Sequence, residues 1–231
     1  MVAVGIPDLP LVSGHPVLDL VNTVEPRSPG PPERDHLARP ADLLAWARRA
    51  GVVDDREADA VAGTWTDDPA GADRSLRAAV ELRESAYAVL TAALAAEPSD
   101  VTASGAGAEG AAACLAGHWA AAAGRARLEP GTDAPIRIAV GTRADSLVVD
   151  RLAYAAVALL STVDLRHLRA CPVEDGGCGW LFLDRSRNGS RRWCAMGDCG
   201  AQAKARRLTA RRRAARRGAA GHGAARVSGE D

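Results

Sequence analysis

Apolar positions recur at helical spacing through most of the chain. Over residues 72–97, Leu76, Val80, Leu82, Ala86, Tyr87, Leu90 and Leu94 fall near a 3.6-residue period and predict a long helix. The segment 39–51 predicts a shorter one. Pro40 stands at its start, Leu43, Leu44 and Trp46 are its apolar anchors, Arg48 and Arg49 fall in its last turn, and Gly51 stops it. Residues 54–66, an alanine-rich run ending near 123, and 143–163 read as further helices, the last with Asp145 or Ser146 as N-cap. "HPVLDLVNTV" (15–24) is too short to assign between helix and strand. Alternation on either side of Pro130-Gly131 predicts a β-hairpin across 125–140. The Pro/Gly cluster 25–35 and the segment 98–110 are expected loops.

Residues 180–184, "WLFLD", read as a strand. "RSRNG" (185–189) carries an Asn-Gly turn signal, and 190–194 is expected to return as the second strand of a hairpin. These elements predict an α+β fold. Its N-terminal domain is mostly helical with a β-hairpin, and its C-terminal module is treble-clef or zinc-ribbon-like. The expected boundaries are a flexible lead over 1–14, an α+β domain over 15–165, the small module over 166–217, and a disordered Gly/Ala-rich tail over 218–231.

Charge sharpens the division. The formal net charge is zero, yet residues 1–165 carry 14 arginines against 23 carboxylates, a balance of −9. Residues 166–226 carry 14 arginines and Lys204, the chain's only lysine, against four carboxylates, a balance of +11. An acidic domain with a basic appendage points to a polyanionic partner for the basic part. No signal-peptide pattern opens the chain and no run approaches a membrane span, so a cytoplasmic protein without a membrane role is expected. The Ala/Arg/Gly/Pro bias suggests a bacterial source with a GC-rich genome.

Four of the five cysteines crowd the basic part: Cys171, Cys178, Cys194 and Cys199. Two pairs about fifteen residues apart match the layout of a metal site, and a reducing compartment favours metal over disulfides. Four sulfurs close a tetrahedral Zn²⁺ and leave no place for a reactive water, so one structural zinc is expected. Trp180, Phe182 and Trp193 are expected as the module's small core rather than as stacking platforms for unpaired bases. Asp184 is expected to pair with a hairpin arginine.

The run from Cys178 to Lys204 resembles the CGNR zinc finger. It keeps that family's pattern at Cys178–Asp184, Ser186–Asn188, Arg191–Cys194 and Met196. It departs at the eponymous tetrapeptide, reading Cys199-Gly200-Ala201-Gln202, where an asparagine and an arginine are replaced. Residues 15–24 and 41–52 are similar to the opening segments of the ABATE domain that accompanies this finger. The resemblance implies a transcription regulator associated with stress, with DNA as partner.

Candidate nucleic-acid contacts are Arg187, Arg191 and Arg192 on the hairpin, and Lys204, Arg207 and Arg211 on one face of the final helix. Arg206, Arg213 and Arg217 lie on another face. Arginine on nearly every side favours phosphate neutralisation over base readout. Asp19, Asn22 and Thr23 interrupt an apolar segment and are read as caps, with Asp19 and Asn22 also candidates for binding a small-molecule effector. Cys114 and His118 share a helix face, but two ligands do not make a site, and they are read as a buried cysteine and a partly exposed histidine. His167 is a spare ligand that four cysteines make unnecessary. No phosphate loop or nucleophile–base signature is present, so no enzymatic activity is expected. The leading reading is a DNA-binding regulator whose N-terminal domain senses a ligand or forms a homodimer. An adaptor for RNA or an acidic protein surface is the alternative, and an enzyme with an unrecognised pocket in 1–165 comes last.

Overall fold

The computed structural model describes residues 5–27, 32–95 and 106–224, with side chains omitted for 106 and 213–224. Seven helices and three two-stranded antiparallel ladders are described. The helices are α1 (Pro16–Val21), α2 (Pro40–Arg49), α3 (Asp55–Asp67), α4 (Pro69–Ala95), α5 (Ala106–Arg125), α6 (Leu147–Thr162) and α7 (Ala201–Ala224). The strands are β1 (Val24–Glu25) with β2 (Arg34–Asp35), β3 (Arg127–Pro130) with β4 (Ile136–Ala139), and β5 (Leu168–Ala170) with β6 (Leu181–Leu183).

Local chemistry explains the helix ends. Pro16 and Pro40 occupy first turns, where a missing N–H costs nothing. Asp54 accepts the Glu57 N–H and Glu57 accepts the Asp54 N–H, a reciprocal cap on α3. Gly51, at φ 69°, stops α2 as expected. Ser146 does precede α6, but its hydroxyl bonds the Asp150 carboxylate instead of capping a backbone N–H.

The short apolar segment at 15–24 forms α1 and lies at the centre of the molecule. Val17, Leu18, Leu20 and Val21 are almost wholly buried. They pack against α4, α6 and β6. Leu82, Ala86 and Leu90 from α4 and Leu152 and Ala153 from α6 complete this core. The same cluster continues without a break into Leu168, Leu181, Phe182 and Trp193. The expected boundary near 165 is therefore not a gap in the core.

Residues 5–14, expected within a flexible lead, are built into the body. Ile6–Asp8 forms a single 3₁₀ turn, Ile6 and Leu9 are buried, and Arg49 donates to the Leu9 carbonyl at 2.8 Å. Residues 1–4 lie outside the described residues. Part of the expected loop at 98–110 is helical, because α5 begins at Ala106, and the remainder through 105 lies outside the described residues. Similarly, α7 continues to Ala224 through part of the expected disordered tail, and 225–231 lie outside the described residues. The expected hairpin at 125–140 is present as β3–β4, and its apolar residues Leu128, Ile136 and Ile138 face solvent. No helix among the described residues is long and apolar enough to cross a membrane.

Candidate metal centre and basic surface

The first two cysteines flank a hairpin tip. Strands β5 and β6 pair through Leu168–Leu183 and Ala170–Leu181. The ladder extends one step further, with the Cys171 N–H donating to the Trp180 carbonyl at 2.8 Å and the Gly179 N–H to the Cys171 carbonyl at 3.2 Å. Residues 172–177 fold over the tip through Gly176 N–H to Val173 O and Gly177 N–H to Pro172 O, both 2.8 Å. The six residues between the ligands are thus wound into two nested turns, 173–176 inside 172–177. A Cβ on Gly177 would lie 2.6 Å from Cys171 Sγ, so only glycine lets this loop close over the sulfur.

The other pair is brought in by a different device. The Gly200 N–H donates to the Ala195 carbonyl at 3.1 Å, closing a π-type turn over Met196–Gly200 that runs straight into α7. That wider turn accommodates the spacing from Cys194 to Cys199 and sets Cys199 beside the start of the helix. The expected partner strand at 190–194 does not form. Instead β6 pairs with β5 upstream, and residues 184–194 loop around Asp184.

Asp184 is fully buried. It accepts from the Ser186 hydroxyl at 2.6 Å and from the N–H groups of Ser186 and Arg191, each at 2.9 Å. The expected ion pair with a hairpin arginine is replaced by these bonds, because a rigid turn offers N–H groups at fixed positions. They hold the carboxyl below its ordinary range, the Ser186 hydroxyl contributing most.

All four Sγ atoms lie within 4.8 Å of one another, with Cys178 to Cys194 at 3.4 Å and Cys194 to Cys199 at 3.6 Å. Sulfurs bound at about 2.3 Å to a tetrahedral ion stand about 3.8 Å apart, so the spacing fits Zn²⁺. Without a cation these sulfurs compete for protons. Hydrogen bonds from Cys178, Cys194 and Cys199 pull the Cys171 thiol down, and the same kind of bonding from Cys171, Cys194 and Cys199 pushes Cys178 up. One divalent ion removes that competition by favouring every thiolate at once. The donor set has no open position, and the centre holds a single structural zinc. His167 is not among the ligands; its Nδ1 lies 3.0 Å from the Asp184 carbonyl oxygen.

The zinc module is completed by residues 12–27. Asn22 grips the free edge of β6 at one residue, donating to the Leu181 carbonyl at 2.8 Å and accepting the Leu181 N–H at 3.0 Å. Trp180 Nε1 donates to Val24 O at 2.9 Å, Leu183 N–H to Ser13 O at 2.8 Å, and Arg27 N–H to Cys178 O at 2.7 Å. Gly179 has φ 76°, and a Cβ there would meet the Arg27 carbonyl oxygen at 1.8 Å, so this contact also requires glycine.

Arg27 is itself held by Glu84, through a 2.6 Å ion pair, and by the Val21 carbonyl at 2.8 Å. Neighbouring Arg83 is buried between Glu84 and Asp35 and donates to Thr23 at 3.1 Å. This four-residue ionic network reaches from α4 to the zinc knuckle, and nothing in the sequence marks it.

Asp19 and Asn22 are thus committed to the protein rather than to an effector. Asp19 accepts the Ser13 N–H at 3.0 Å. Burial raises its carboxyl above the ordinary value despite that bond.

The six candidate nucleic-acid residues have different surroundings. Arg191 lies 4.4 Å over the Phe182 ring and donates to the carbonyls of Val12, Trp193 and Cys194, so it serves the fold. Arg192 and Arg207 both pair with Asp175 of the knuckle loop. Arg187, Lys204 and Arg211 are exposed. Side chains of Arg213 and Arg217 lie outside the described residues. Trp180, Phe182 and Trp193 are buried, as expected for core residues. At the substituted tetrapeptide, Ala201 is exposed and Gln202 donates to Asp198 at 2.7 Å across one turn.

A cavity of about 520 Å³ lies where the end of α6 meets β6, lined in part by His15, Leu159, Val163, His167, Leu183 and Arg185. Burial, reinforced by the Arg185 charge, lowers the His15 imidazole below its ordinary value.

Residues 167–212 match the CGNR zinc finger, and residues 14–163 match ABATE, whose description reads "Putative stress-induced transcription regulator". No curated protein gives a significant match. The matched segments meet at the junction where the core runs on unbroken and together cover both the tetrathiolate and the helices that support it, so this chain belongs to the ABATE family and carries a CGNR zinc finger.

Proposed function

We propose that this protein regulates transcription by binding DNA through its zinc-fixed basic module, without an enzymatic step of its own. The observation that carries this reading is the placement of α7. Its root is locked to the metal centre through Cys199 and buried Ala203, while residues 204–212 are exposed. Its main packing neighbour is the turn that precedes it. Twenty-four residues make a helix about 36 Å long, enough to lie along several phosphates of a duplex. Lys204, Arg207 and Arg211 share one of its faces, and Arg187 adds a cation from the finger's turn. Asp175 partly neutralises Arg192 and Arg207, so among the candidate contacts Arg187, Lys204 and Arg211 are the ones whose charge is not shared with it. The family description supports a regulatory role.

The cavity between α6 and β6 has the volume of a small-molecule site. An effector bound there would touch both the helical domain and the finger, which makes it the reading's sensory site.

Duplex titrations at several salt concentrations test the proposal. Affinity is expected to fall linearly on logarithmic axes, and Lys204→Ala and Arg211→Ala should each reduce the slope by about one. Equal affinity for duplex DNA, RNA and heparin would instead favour a polyanion-binding adaptor.

A further inference from the structure

Apart from the tetrathiolate, one other cluster of three metal-binding side chains lies within ligand distance among the described residues. Cys114 and His118 stand one turn apart on α5, and Glu81 of α4 faces them across the helix–helix seam. One ligand atom from each lies within 4.8 Å of the other two, and His118 Nε2 is 3.1 Å from Glu81 Oε2. Cys114 and His118 are half-buried, and Glu81 reaches in from the solvent side. We propose that this Cys–His–Glu triad binds a second divalent cation of borderline softness, zinc foremost, at an exchangeable site.

The donor chemistry selects the ion. A thiolate excludes Mg²⁺ and Ca²⁺ as good occupants, and an imidazole beside it suits Zn²⁺, Co²⁺ or Ni²⁺. Thiolate and carboxylate together balance the dication. Geometry contributes as well. The i, i+4 spacing aims two donors to one side of α5, and the extensive packing of α4 on α5 holds the third opposite them. Ligand atoms of a tetrahedral site stand roughly 3.3–3.8 Å apart, so closure asks only a rotamer adjustment, which exposed Glu81 can make.

Three protein ligands leave one coordination position for water. The ion should therefore exchange readily, unlike the one enclosed by four sulfurs. This site stands independently of the DNA-binding reading. Occupying it ties α4 to α5, three residues from Glu84 in the network beneath the zinc knuckle.

The test uses the full chain at dialysis equilibrium with a fixed concentration of free Zn²⁺, with bound zinc counted by elemental analysis as the excess in the protein compartment over the buffer. The wild type is expected to hold two equivalents, one released by a mild chelator. Cys114→Ser and His118→Ala should each hold one, while keeping the wild-type melting temperature measured in that chelator. With Co²⁺ supplied to protein already holding one zinc, the wild type should show a thiolate charge-transfer band that Cys114→Ser lacks. One equivalent in the wild type, or two in both variants, overturns the proposal.

Discussion

Asn22 shows how far a single side chain can matter when its partners are backbone. Its amide satisfies both the N–H and the C=O of Leu181 on a strand edge where no further strand pairs, and it is buried. Asn22→Ala leaves two buried polar groups unpaired, at about 1–3 kcal/mol each. We expect about 2–6 kcal/mol of lost stability, measured by chemical denaturation of the zinc-loaded protein; a loss under about 0.5 kcal/mol would contradict this role. Sequence marked Asn22 as unusual, a polar residue in an apolar run, but not what it touched, because Leu181 lies 159 positions away. Arg191 makes the complementary point. In the sequence it is one arginine among many, and its charge suits a phosphate as well as any. Only its place over Phe182, with three carbonyls around its guanidinium, separates it from exposed Arg187.

Among the elements, α4 carries the ionic link to the finger. Burial pushes the Glu84 carboxyl up, but hydrogen bonds and charge from Arg27 and Arg83 outweigh it, and the net shift is downward. Asp35 behaves alike, with Arg83 and the Leu37 N–H overcoming burial. A carboxyl whose folded value lies below its unfolded value adds stability above the unfolded value and loses it as pH falls through the folded one. Stability should therefore decline as pH drops below about 4.5. Glu84→Gln should flatten the acid limb between about pH 5 and pH 3, read as the difference in melting temperature from wild type; identical acid limbs would rule out this contribution.

The strand elements were less legible than the helices. Helical periodicity survives in α2, α3, α4 and α6 because each has one face against a common core. The short apolar run at 180–184 marks β6, which the structure places at Leu181–Leu183, but the expected downstream partner is not the one that pairs with it. The Asn-Gly signal suggested a downstream return, whereas the stronger constraint was the knuckle at 171–179, whose two turns close an upstream hairpin.

For the molecule as a whole, the unbroken core makes the zinc a fastener for more than the finger. Leu181 and Phe182 pack into the cluster that contains α1, and residues 13–27 line the other side of β6. A structural zinc contributes an apparent ~10–16 kcal/mol, comparable to a domain's entire stability. Stripping it, or replacing Cys178 or Cys199 with serine, should lower the melting temperature of the entire protein. Calorimetry should show a single transition for the zinc-loaded chain; an unchanged high-temperature transition after metal removal would mean the helical domain stands alone.

The cysteine chemistry, the helix periods and the reversal of charge near residue 165 were determined by the sequence alone, since each depends on residue type and local spacing. Tertiary structure decided the rest: that α1 joins both matched segments, that Asn22 serves a strand, that Asp175 tempers two of the basic residues, and that Glu81 meets Cys114 and His118. These are meetings of groups distant along the chain, and burial of one shared apolar core is what brings them together.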